Sequence, residues 1–588
     1  MKYILKTNKR ISFELALFIV SIFLIGVIAF FWSLRFSGKH KKDFPELTNS
    51  IKLSVPECSV KGGFYSDGFA IKLSTTIPDA RIYYSLDGAE PSLESRLYVH
   101  PFVISSKSYA RNNLSAIPTS PRWKPPIDDV FKGVVLRAIV VDANNFKGTE
   151  LVKTFFIDKK ANKRYSLPVI SITVNEKDFF GYKQGIYVLG KSYGDKNNYI
   201  RKNVPLDLPW WEYPSNYLMR GDDAERPAYI EFYEPDGKLG FESKVGIRIN
   251  GNATRGFAQK SLRICFRKKY GKELINYSLF PSNSVTTFNS FILRNSGNDW
   301  DKTMFRDAFM QSLMKNTHLD IQDERSSIVF INGEYWGIHN IRERFDENYL
   351  LNKYHISIDS IAILELAGSL SYGKKGDEDE FKKLLNFVKQ NNLSDDKSYE
   401  FVNSHIDIES FCDFLIANIY YCNSDWPNNN VKFWHYKTDK VANNTSVRDG
   451  RWRWMLYDTD WGFGYNALST PDNNLLEKAK NTGSVGILFG SLIKNQKFVE
   501  LFIQRFQYHL NTTFYPSFVI ARIDEMQKVL SPEMQEHIDR WRVIGSYDQW
   551  LENVEVLRNF AIQRPEIQAK QLNDFFHLKG SKMITIKK

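Results

Sequence analysis

The spacing of hydrophobic positions changes along the chain. Between residues 51 and 158, short runs such as RIYYS and GVVLRAIVV are rich in β-branched and aromatic residues, and Gly, Pro, Asp and Asn separate them. Runs of this kind, bounded by turn residues, are typical of strands. About four to seven strands in about a hundred residues predict a small β-sandwich.

Strands and then helices are predicted after the sandwich. Residues 159–225 are interpreted as a connecting β segment, which contains the apolar run SLPVISITV. In the next stretch GFESKVGIRI alternates with a period of two, and PDG forms a turn before it. Apolar residues then recur at three- and four-residue spacing, which predicts helices over 304–316, 379–390, 408–423 and much of 485–576. Strands followed by helices predict an α+β domain over residues 226–588.

The N-terminus carries one long apolar segment. Leu15–Leu34 has no charged residue, and a helix of this length spans roughly 30 Å, enough to cross a bilayer. We therefore predict a single membrane-spanning helix within residues 1–36 and a polar linker at 37–50. Four basic residues stand on each side of the span, so the charge bias is even. We expect a single-pass membrane protein with the bulk of the chain outside the cytoplasm.

Composition and charge narrow the class of partner. The 588 residues are 43% hydrophobic and 25% charged, as in globular proteins. The net charge of +12 favours an acidic partner or an anionic surface. A nucleic-acid partner is not expected, because the sequence has no long basic run, zinc-finger spacing or RNA-binding aromatic motif. Four cysteines without CxxC spacing predict buried thiols or at most one bridge.

Two carboxylate-rich turns carry the candidate chemistry. In NSDWPNNN, Asp425 directly follows the predicted helix, and Pro427 cannot continue it. Asn430 lies five residues after Asp425. The run RWRWMLYDTD is predicted to be a strand that ends in Asp458 and Asp460. Residues two apart in a strand face the same side, so both carboxylates are expected to meet one cation.

The order of these elements is that of protein kinases. A helix leads to an Asp loop with Asn at plus five, and two strands lead to a second Asp site. The chemistry needs hard oxygen ligands for Mg²⁺ and a carboxylate that orients a hydroxyl. The HRD and DFG signatures are absent, although Asp460, Trp461 and Gly462 resemble the second. A kinase also needs a cation for the phosphates and an acid beside it. KSLRI supplies Lys260 on a predicted strand, and RERFD supplies Glu343 at the start of a predicted helix.

Together the segments KSLRI, NGEYWG, RERFD, DWPNNN and YDTDWGFG resemble the CotH (spore-coat protein H) kinase family, over about residues 225–510. This resemblance implies an atypical protein-kinase fold that binds ATP with Mg²⁺ or Mn²⁺ and phosphorylates serines of proteins. Members are associated with coat proteins rich in Ser, Lys and Arg, which implies a basic, serine-rich substrate.

The resemblance also assigns roles to residues. Asp425 would be the catalytic acid/base, with Asn430 (or Asn429) as a metal ligand. Asp458 or Asp460 would be the principal metal ligand. Lys260 would contact the phosphates with Glu343 as its partner, and Arg248 and Arg255 are further candidates for phosphate contact. The structural alternatives are a turn for Asp425, a loop cap for Asp458 and Asp460, a solvated strand position for Lys260, an ordinary helix-face ion pair for Glu343 and surface charge for both arginines.

The sandwich has its own resemblance. RIYYSLDGAEPSLESRLY and RAIVVDANNFKG resemble the C-terminal sandwich domain of chitobiases and hexosaminidases. This implies an accessory module with a possible contact to carbohydrate, and we expect its deletion to leave nucleotide binding intact.

Two other functions stay open. DTD has the DxD form with which some glycosyltransferases hold a metal on a sugar nucleotide, and a non-catalytic surface or scaffold protein would keep a kinase-like core for adhesion.

Overall fold

The computed structural model describes residues 55–194, 209–438 and 446–587. The predicted membrane span Leu15–Leu34 and the linker 37–50 lie outside these residues. Within the described ranges, no helix combines the length and the apolar character that a bilayer crossing requires.

The first part of the described chain is the predicted all-β module. A five-stranded sheet has the order Gly63–Tyr65, Leu151–Ile157, Val134–Val141, Arg81–Ser85 and Arg96–Leu97. Two small sheets complete it, formed by Phe69–Ile71 with Phe102–Ile104 and by Glu57–Cys58 with Leu73–Ser74. The apolar core between them includes Ile71, Leu136 and Phe155.

A closed seven-stranded barrel follows. Its strands, in order around the barrel, are Val169–Val174, Arg226–Tyr233, Leu239–Ile249, Leu262–Cys265, Ser290–Arg294, Glu334–Arg342 and Glu324–Ile331. The first strand lies within the segment that we interpreted as a connector. It pairs antiparallel with Arg226–Tyr233 and parallel with Glu324–Ile331, and thereby closes the barrel. The barrel domain therefore begins earlier than residue 226.

A mainly helical part follows the barrel and carries the carboxylate-rich turns. It contains one four-stranded sheet, in the order Ser369–Tyr372, Ile361–Glu365, Lys432–Tyr436 and Arg453–Met455. The helices of eight or more residues in the described chain are Arg306–Leu313, Glu347–Tyr354, Asp379–Gln390, Asp396–His405, Ile408–Tyr420, Gly483–Leu492, Gln496–Leu510, Pro516–Trp541 and Tyr547–Phe575. The described chain is thus a β-rich module followed by a domain of mixed strands and helices.

The β-module and the barrel share a buried interface. All eight residues of the strand Val134–Val141 are buried. One face of the strand packs in the core of the sandwich, and the opposite face is also covered by protein. The rings of Phe156 and Phe330 lie 4.7 Å apart across the boundary. The buried Glu231 carboxylate accepts hydrogen bonds from the backbone N–H and the hydroxyl of Thr154. Loss of the module would therefore expose apolar surface of the barrel, whereas the expectation that nucleotide binding survives its deletion stays a prediction.

Glu334 offers a direct test of this interface. Its buried carboxylate accepts hydrogen bonds from the backbone N–H groups of Asn113 and Ser115, both at 2.7 Å, and from the Ser115 hydroxyl. Glu334→Ala leaves these donors unpaired, so we expect the free energy of unfolding to fall by about 1–3 kcal/mol. Chemical denaturation measures this, with Glu552→Ala at an exposed helix position as the control. Equal stability of the two variants would contradict a structural role for the interface.

Candidate functional site

The loop that carries Asp425 is anchored by the helix before it. The helix Ile408–Tyr420 is buried along almost its whole length, and Asp407 caps its first turn. The chain turns away at Cys422, which has a left-handed backbone conformation (φ 51°). The Trp426 side chain is fully buried and packs on Phe414. Asp425 is therefore held between a rigid helix and a buried anchor, and its own side chain stays half-buried.

Asp458 and Asp460 converge on one cation, but not through a strand. The strand ends at Met455, and Asp458 lies in a turn with φ 53°. The Arg294 Nη2 atom lies 2.5 Å from an Asp458 oxygen and 2.7 Å from an Asp460 oxygen. The predicted strand geometry is wrong at these residues. The two carboxylates meet at the Arg294 guanidinium, and their expected binding of one metal cation stays a prediction.

Asp307 holds the middle of the turn that carries Asp458 and Asp460. Asp307, at the start of the helix Arg306–Leu313, accepts hydrogen bonds from the Thr459 backbone N–H (2.8 Å) and hydroxyl (3.0 Å). Burial raises the pKa of Asp307, but Arg342 and Arg294 outweigh it and lower the pKa to about 2. Asp307 is therefore a permanently charged support for the turn.

The loop before this helix approaches Asp460 closely. The backbone N–H of Asn298 donates to an Asp460 oxygen at 2.9 Å, and its side-chain amide donates to the other at 3.2 Å. Gly297 has φ 65°, and a Cβ there would overlap both the Asp460 carboxylate and the Arg294 guanidinium. This position requires glycine for conformation and for space.

Asn430 joins the two carboxylate-bearing loops. Its amide nitrogen donates to Asp425 at 3.0 Å and to the Asp458 carbonyl at 2.9 Å. Asn429 donates to the other Asp425 oxygen at 2.8 Å. The structure therefore brings together Asp425, Asn430, Asp458 and Asp460 in one hydrogen-bonded cluster, as the sequence predicts.

The electrostatics of Asp460 follow from its position. Its side chain is completely buried. Burial and the nearby Asp458 carboxylate raise the pKa of Asp460 to about 8, although Arg294 acts in the opposite direction. A buried carboxylate with a raised pKa beside a second carboxylate is a common feature of functional sites.

Comparison with models of protein families shows the family to which the chain belongs. Residues 247–567 match the model of the CotH kinase protein. The chain belongs to the CotH kinase family. Residues 60–147 match the chitobiase/beta-hexosaminidase C-terminal domain. The two matches together confirm both resemblances that the sequence shows. A comparison with curated proteins found no match. CotH membership indicates a kinase-like domain, and the carboxylate cluster lies inside the matched region.

Lys260 does not occupy the position that the CotH resemblance predicts. Its side chain is fully buried, directly before the strand Leu262–Cys265. The ammonium donates to the carbonyls of Arg255 and Phe257, both at 2.7 Å, and lies 3.9 Å from the Tyr217 ring centre. Burial lowers its pKa well below the usual value. In this CotH-family chain Lys260 fixes the preceding loop and does not face a cleft.

Glu343 is not the partner of Lys260. It follows the strand Glu334–Arg342 directly, and the next helix begins only at Glu347. Its carboxylate accepts from the Asp323 backbone N–H at 3.0 Å, and burial raises its pKa to about 7. The expected Lys260–Glu343 ion pair does not form, because the Lys260 ammonium is bonded to the carbonyls of Arg255 and Phe257 and the Glu343 carboxylate to the Asp323 backbone N–H.

The two candidate arginines differ in their availability. Arg255 is buried and donates to four carbonyls, those of Gly251, Tyr217, Met219 and Ile249. These bonds use its guanidinium in holding the loop, so it does not face a phosphate. Arg248 is 17% exposed at its side chain, donates to the Gly221 carbonyl at 3.1 Å and makes a loose ion pair with Asp222 at 3.4 Å. Arg248 remains a candidate for phosphate contact.

Two further arginines stand beside Arg248, and we did not single them out from the sequence. Arg263 faces Arg248 across the paired strands, and its only ion pair among the described residues is a 4.0 Å contact with Asp346. Arg344 pairs with the same Asp346. Burial and the charge of Arg263 lower the pKa of Arg344 to about 10. Asp222, Asp346 and Glu347 lie near these three guanidinium groups, so the surface carries both charges and its arginines are candidates for contact with an anion.

The cluster has suitable donors for a divalent cation. Among the described residues, no group of three or more His, Cys, Asp or Glu side chains forms a ready metal cage. Magnesium is usually held by one or two carboxylates together with substrate phosphates and water, so such a cage is not required. Asp458 and Asp460 already share one cationic nitrogen, and the Asn430 amide lies beside them. Hard oxygen donors of this kind fit Mg²⁺ or Mn²⁺.

Proposed function

We propose that this protein transfers the γ-phosphate of ATP to a serine hydroxyl of a polypeptide, with Mg²⁺ or Mn²⁺. The observation that carries the proposal is the hydrogen-bonded cluster of Asp425, Asn430, Asp458 and Asp460 inside the region that matches the CotH family. These four residues occur in the order found in protein kinases, and they are of the types that phosphoryl transfer needs.

In the proposed reaction Asp425 orients the acceptor. Its half-buried carboxylate is held by Asn429 and Asn430, so it accepts a hydrogen bond from a serine hydroxyl in a fixed direction. A bond forms between the serine oxygen and the γ-phosphorus, and the bond from that phosphorus to the β,γ-bridging oxygen breaks. The hydroxyl proton passes to Asp425, and ADP leaves.

The other members of the cluster would hold the metal. Asn430, Asp458 and Asp460 would supply its oxygen ligands, and Arg294 keeps the two carboxylates together. A bound divalent ion neutralises charge on the phosphate oxygens. Arg248, Arg263 and Arg344 supply positive charge for the remaining phosphates, in place of the buried Lys260.

The test is the thermal stability of the protein with ATP and metal. We expect ATP together with Mg²⁺ or Mn²⁺ to raise the melting temperature, because a ligand that binds only the folded state stabilises it. Asp458→Ala removes a charged ligand and should weaken metal-dependent ATP binding by at least roughly tenfold. Asp359→Ala, at an exposed position, is the control and should behave as wild type.

The same assay separates the alternatives. Stabilisation by a sugar nucleotide with metal, and not by ATP, would favour the glycosyltransferase. Stabilisation by neither would favour a non-catalytic surface protein and would contradict the proposal.

A further inference from the structure

A polar cavity of about 260 Å³ lies between the β-module and the barrel. On the barrel side, Thr173 pairs with Tyr229, and Tyr229 pairs with Lys244, across three neighbouring strands. Residues that are paired across strands lie on the same face of a sheet, so these three form one row. All three line the cavity, and the row is therefore its barrel wall.

The β-module supplies the opposite wall. Arg137 lies on the strand Val134–Val141, and its Nε and Nη2 atoms donate to the two Glu150 carboxylate oxygens at 2.6 and 2.9 Å. Its Nη1 atom donates to the Gly88 carbonyl at 2.9 Å. Arg137 and Glu150 both line the cavity. This two-pronged pairing holds the wall in place and already neutralises the guanidinium charge.

Contacts between the β-module and the barrel close one end of this cleft. Two residues along the strand from Tyr229, the next row of the barrel carries Glu231 and Glu242. The Lys153 ammonium of the module donates to Glu242 at 2.6 Å, and the Thr154 backbone N–H donates to Glu231 at 3.2 Å. The cleft is thus built between two packed sheets, whose strands fix its walls.

One buried polar group of the cleft has no partner. Thr173 is 3% exposed, and its hydroxyl makes no hydrogen bond within the described residues. Most buried hydroxyls are paired, because the loss of a bond to water costs free energy when nothing replaces it. Thr173 lines the cavity, so a ligand with a polar group at this wall would pair its hydroxyl.

The charges of the lining nearly balance. The carboxylates of Glu90, Glu150 and Asp178 line the cavity together with the cations Arg137 and Lys244. Glu150 and Arg137 compensate each other, and within the described residues Lys244 makes no ion pair. Two carboxylates and one ammonium remain. An anion such as phosphate would face both carboxylates and a cation would face Lys244, so the cleft favours a neutral ligand.

The hydrogen-bonding groups of the lining are of both kinds. Glu90 and Asp178 accept, Lys244 donates, and the hydroxyls of Tyr229 and Thr173 do both. A sugar hydroxyl also donates and accepts, so a ring with several hydroxyls satisfies groups of both kinds at once. The half-buried Tyr229 ring adds a flat apolar surface that matches the C–H face of a sugar ring. The volume, below the range of drug-sized pockets, limits the ligand to about one such ring.

We propose that this cleft binds one ring of a neutral saccharide. The resemblance of the β-module implies carbohydrate contact by the sandwich alone, whereas here the barrel row Thr173, Tyr229 and Lys244 supplies half of the site. The proposal goes beyond phosphoryl transfer and does not depend on it, because none of the residues that line the cleft belongs to the carboxylate cluster.

Binding of small sugars to the full-length chain tests the proposal. Because a membrane span is expected, the detergent must be one without a sugar headgroup. Glucose, galactose, mannose and N-acetylglucosamine are compared with glycine, lysine and inorganic phosphate by saturation-transfer NMR and titration. We expect at least one sugar to bind, and the amino acids and phosphate to bind at least roughly tenfold more weakly.

Two variants locate the sugar in the cleft. Thr173→Val removes the unpaired hydroxyl at nearly constant shape, so it should weaken sugar binding roughly fivefold without lowering the melting temperature. Glu90→Gln with Asp178→Asn replaces two charged acceptors and should weaken binding roughly tenfold. Asp359→Asn with Glu552→Gln, at exposed positions that do not line the cleft, is the matched control and should bind as wild type.

The outcomes are distinct from those of the proposed function. Absence of binding by all four sugars overturns the proposal, and so does binding of glycine or lysine as tightly as sugar, because the cleft would then be a site for a zwitterion. Unchanged sugar binding in both cleft variants overturns it as well. The thermal response to ATP and metal should be the same in these variants as in wild type, so failure of the proposed phosphoryl transfer is seen separately.

Discussion

Asp425→Ala is expected to abolish phosphoryl transfer while ATP and metal still bind. The substitution removes the carboxylate that orients the serine hydroxyl and receives its proton, and loss of such a group typically costs roughly 10²–10⁴-fold in rate. The proposed ligands Asp458 and Asp460 are held by Arg294 and Asn298. Asn430 loses its bond to Asp425 but keeps the one to the Asp458 carbonyl. The rate is measured with a serine peptide, and binding by thermal shift with ATP and Mg²⁺.

Two further variants separate catalysis from the shape of the loop. Asp425→Asn keeps an oxygen that accepts from Asn429 or Asn430, so the turn should persist while the base is lost. Asn428→Ala changes an exposed residue of the same loop and should keep normal activity. If Asp425→Asn retained full activity, Asp425 would be a turn-forming residue and no more.

Arg294→Ala is expected to cause the largest loss of stability at the site. The guanidinium contacts Asp458 and Asp460 and lies 3.9 Å from Asp307. Against the effect of burial, these three carboxylates raise the pKa of Arg294. Without it they face one another with little compensation, and removal of one partner from a buried ion pair typically costs about 3–5 kcal/mol. Chemical denaturation measures the change.

Metal should partly restore this variant. A divalent cation bound by Asp458 and Asp460 replaces the missing positive charge, so Mg²⁺ or Mn²⁺ should stabilise Arg294→Ala more than wild type. Arg325→Ala is the matched control, because Arg325 pairs with Glu234 in another part of the barrel. If metal stabilised neither Arg294→Ala nor Arg325→Ala, the two carboxylates would not hold a cation.

The carboxylate cluster was predictable because its signals are local. Helical spacing followed by Pro427, which cannot continue a helix, locates the loop in the sequence, although the helix already ends at Tyr420. The spacing of Asp425 and Asn430 sets their distance in one tight loop. The partner of Asp458 and Asp460 was not predictable in this way. Arg294 is more than 160 residues away along the chain, and only the closed barrel brings it to them.

The assignment of Lys260 was wrong for a reason that the sequence contains. In KSLRIC, residues two apart face the same side, so Lys260 lies on the side of Leu262 and Ile264, which are fully buried. Arg263 lies on the opposite side, next to Arg248 across the strands. Strict use of the alternation would have favoured Arg263 over Lys260 as the residue that faces outward.

The packing of the β-module against the barrel could not be predicted from local sequence patterns. Its strands are visible in the sequence, but the contacts of Phe156 with Phe330 and of Ser115 with Glu334 join residues far apart in the chain. A near-continuous apolar run such as VVLRAIVV is the one local sign that both faces of a strand are covered.

Transfer of the γ-phosphate itself tests the central claim most directly. Wild type and Asp425→Ala are incubated with γ-labelled ATP, Mg²⁺ or Mn²⁺ and a basic, serine-rich peptide, and label on the serine is followed over time. We predict metal-dependent labelling by wild type and a rate roughly 10²–10⁴-fold lower for Asp425→Ala. No labelling of peptide or protein by wild type with either metal, or equal labelling by the two proteins, would contradict the account.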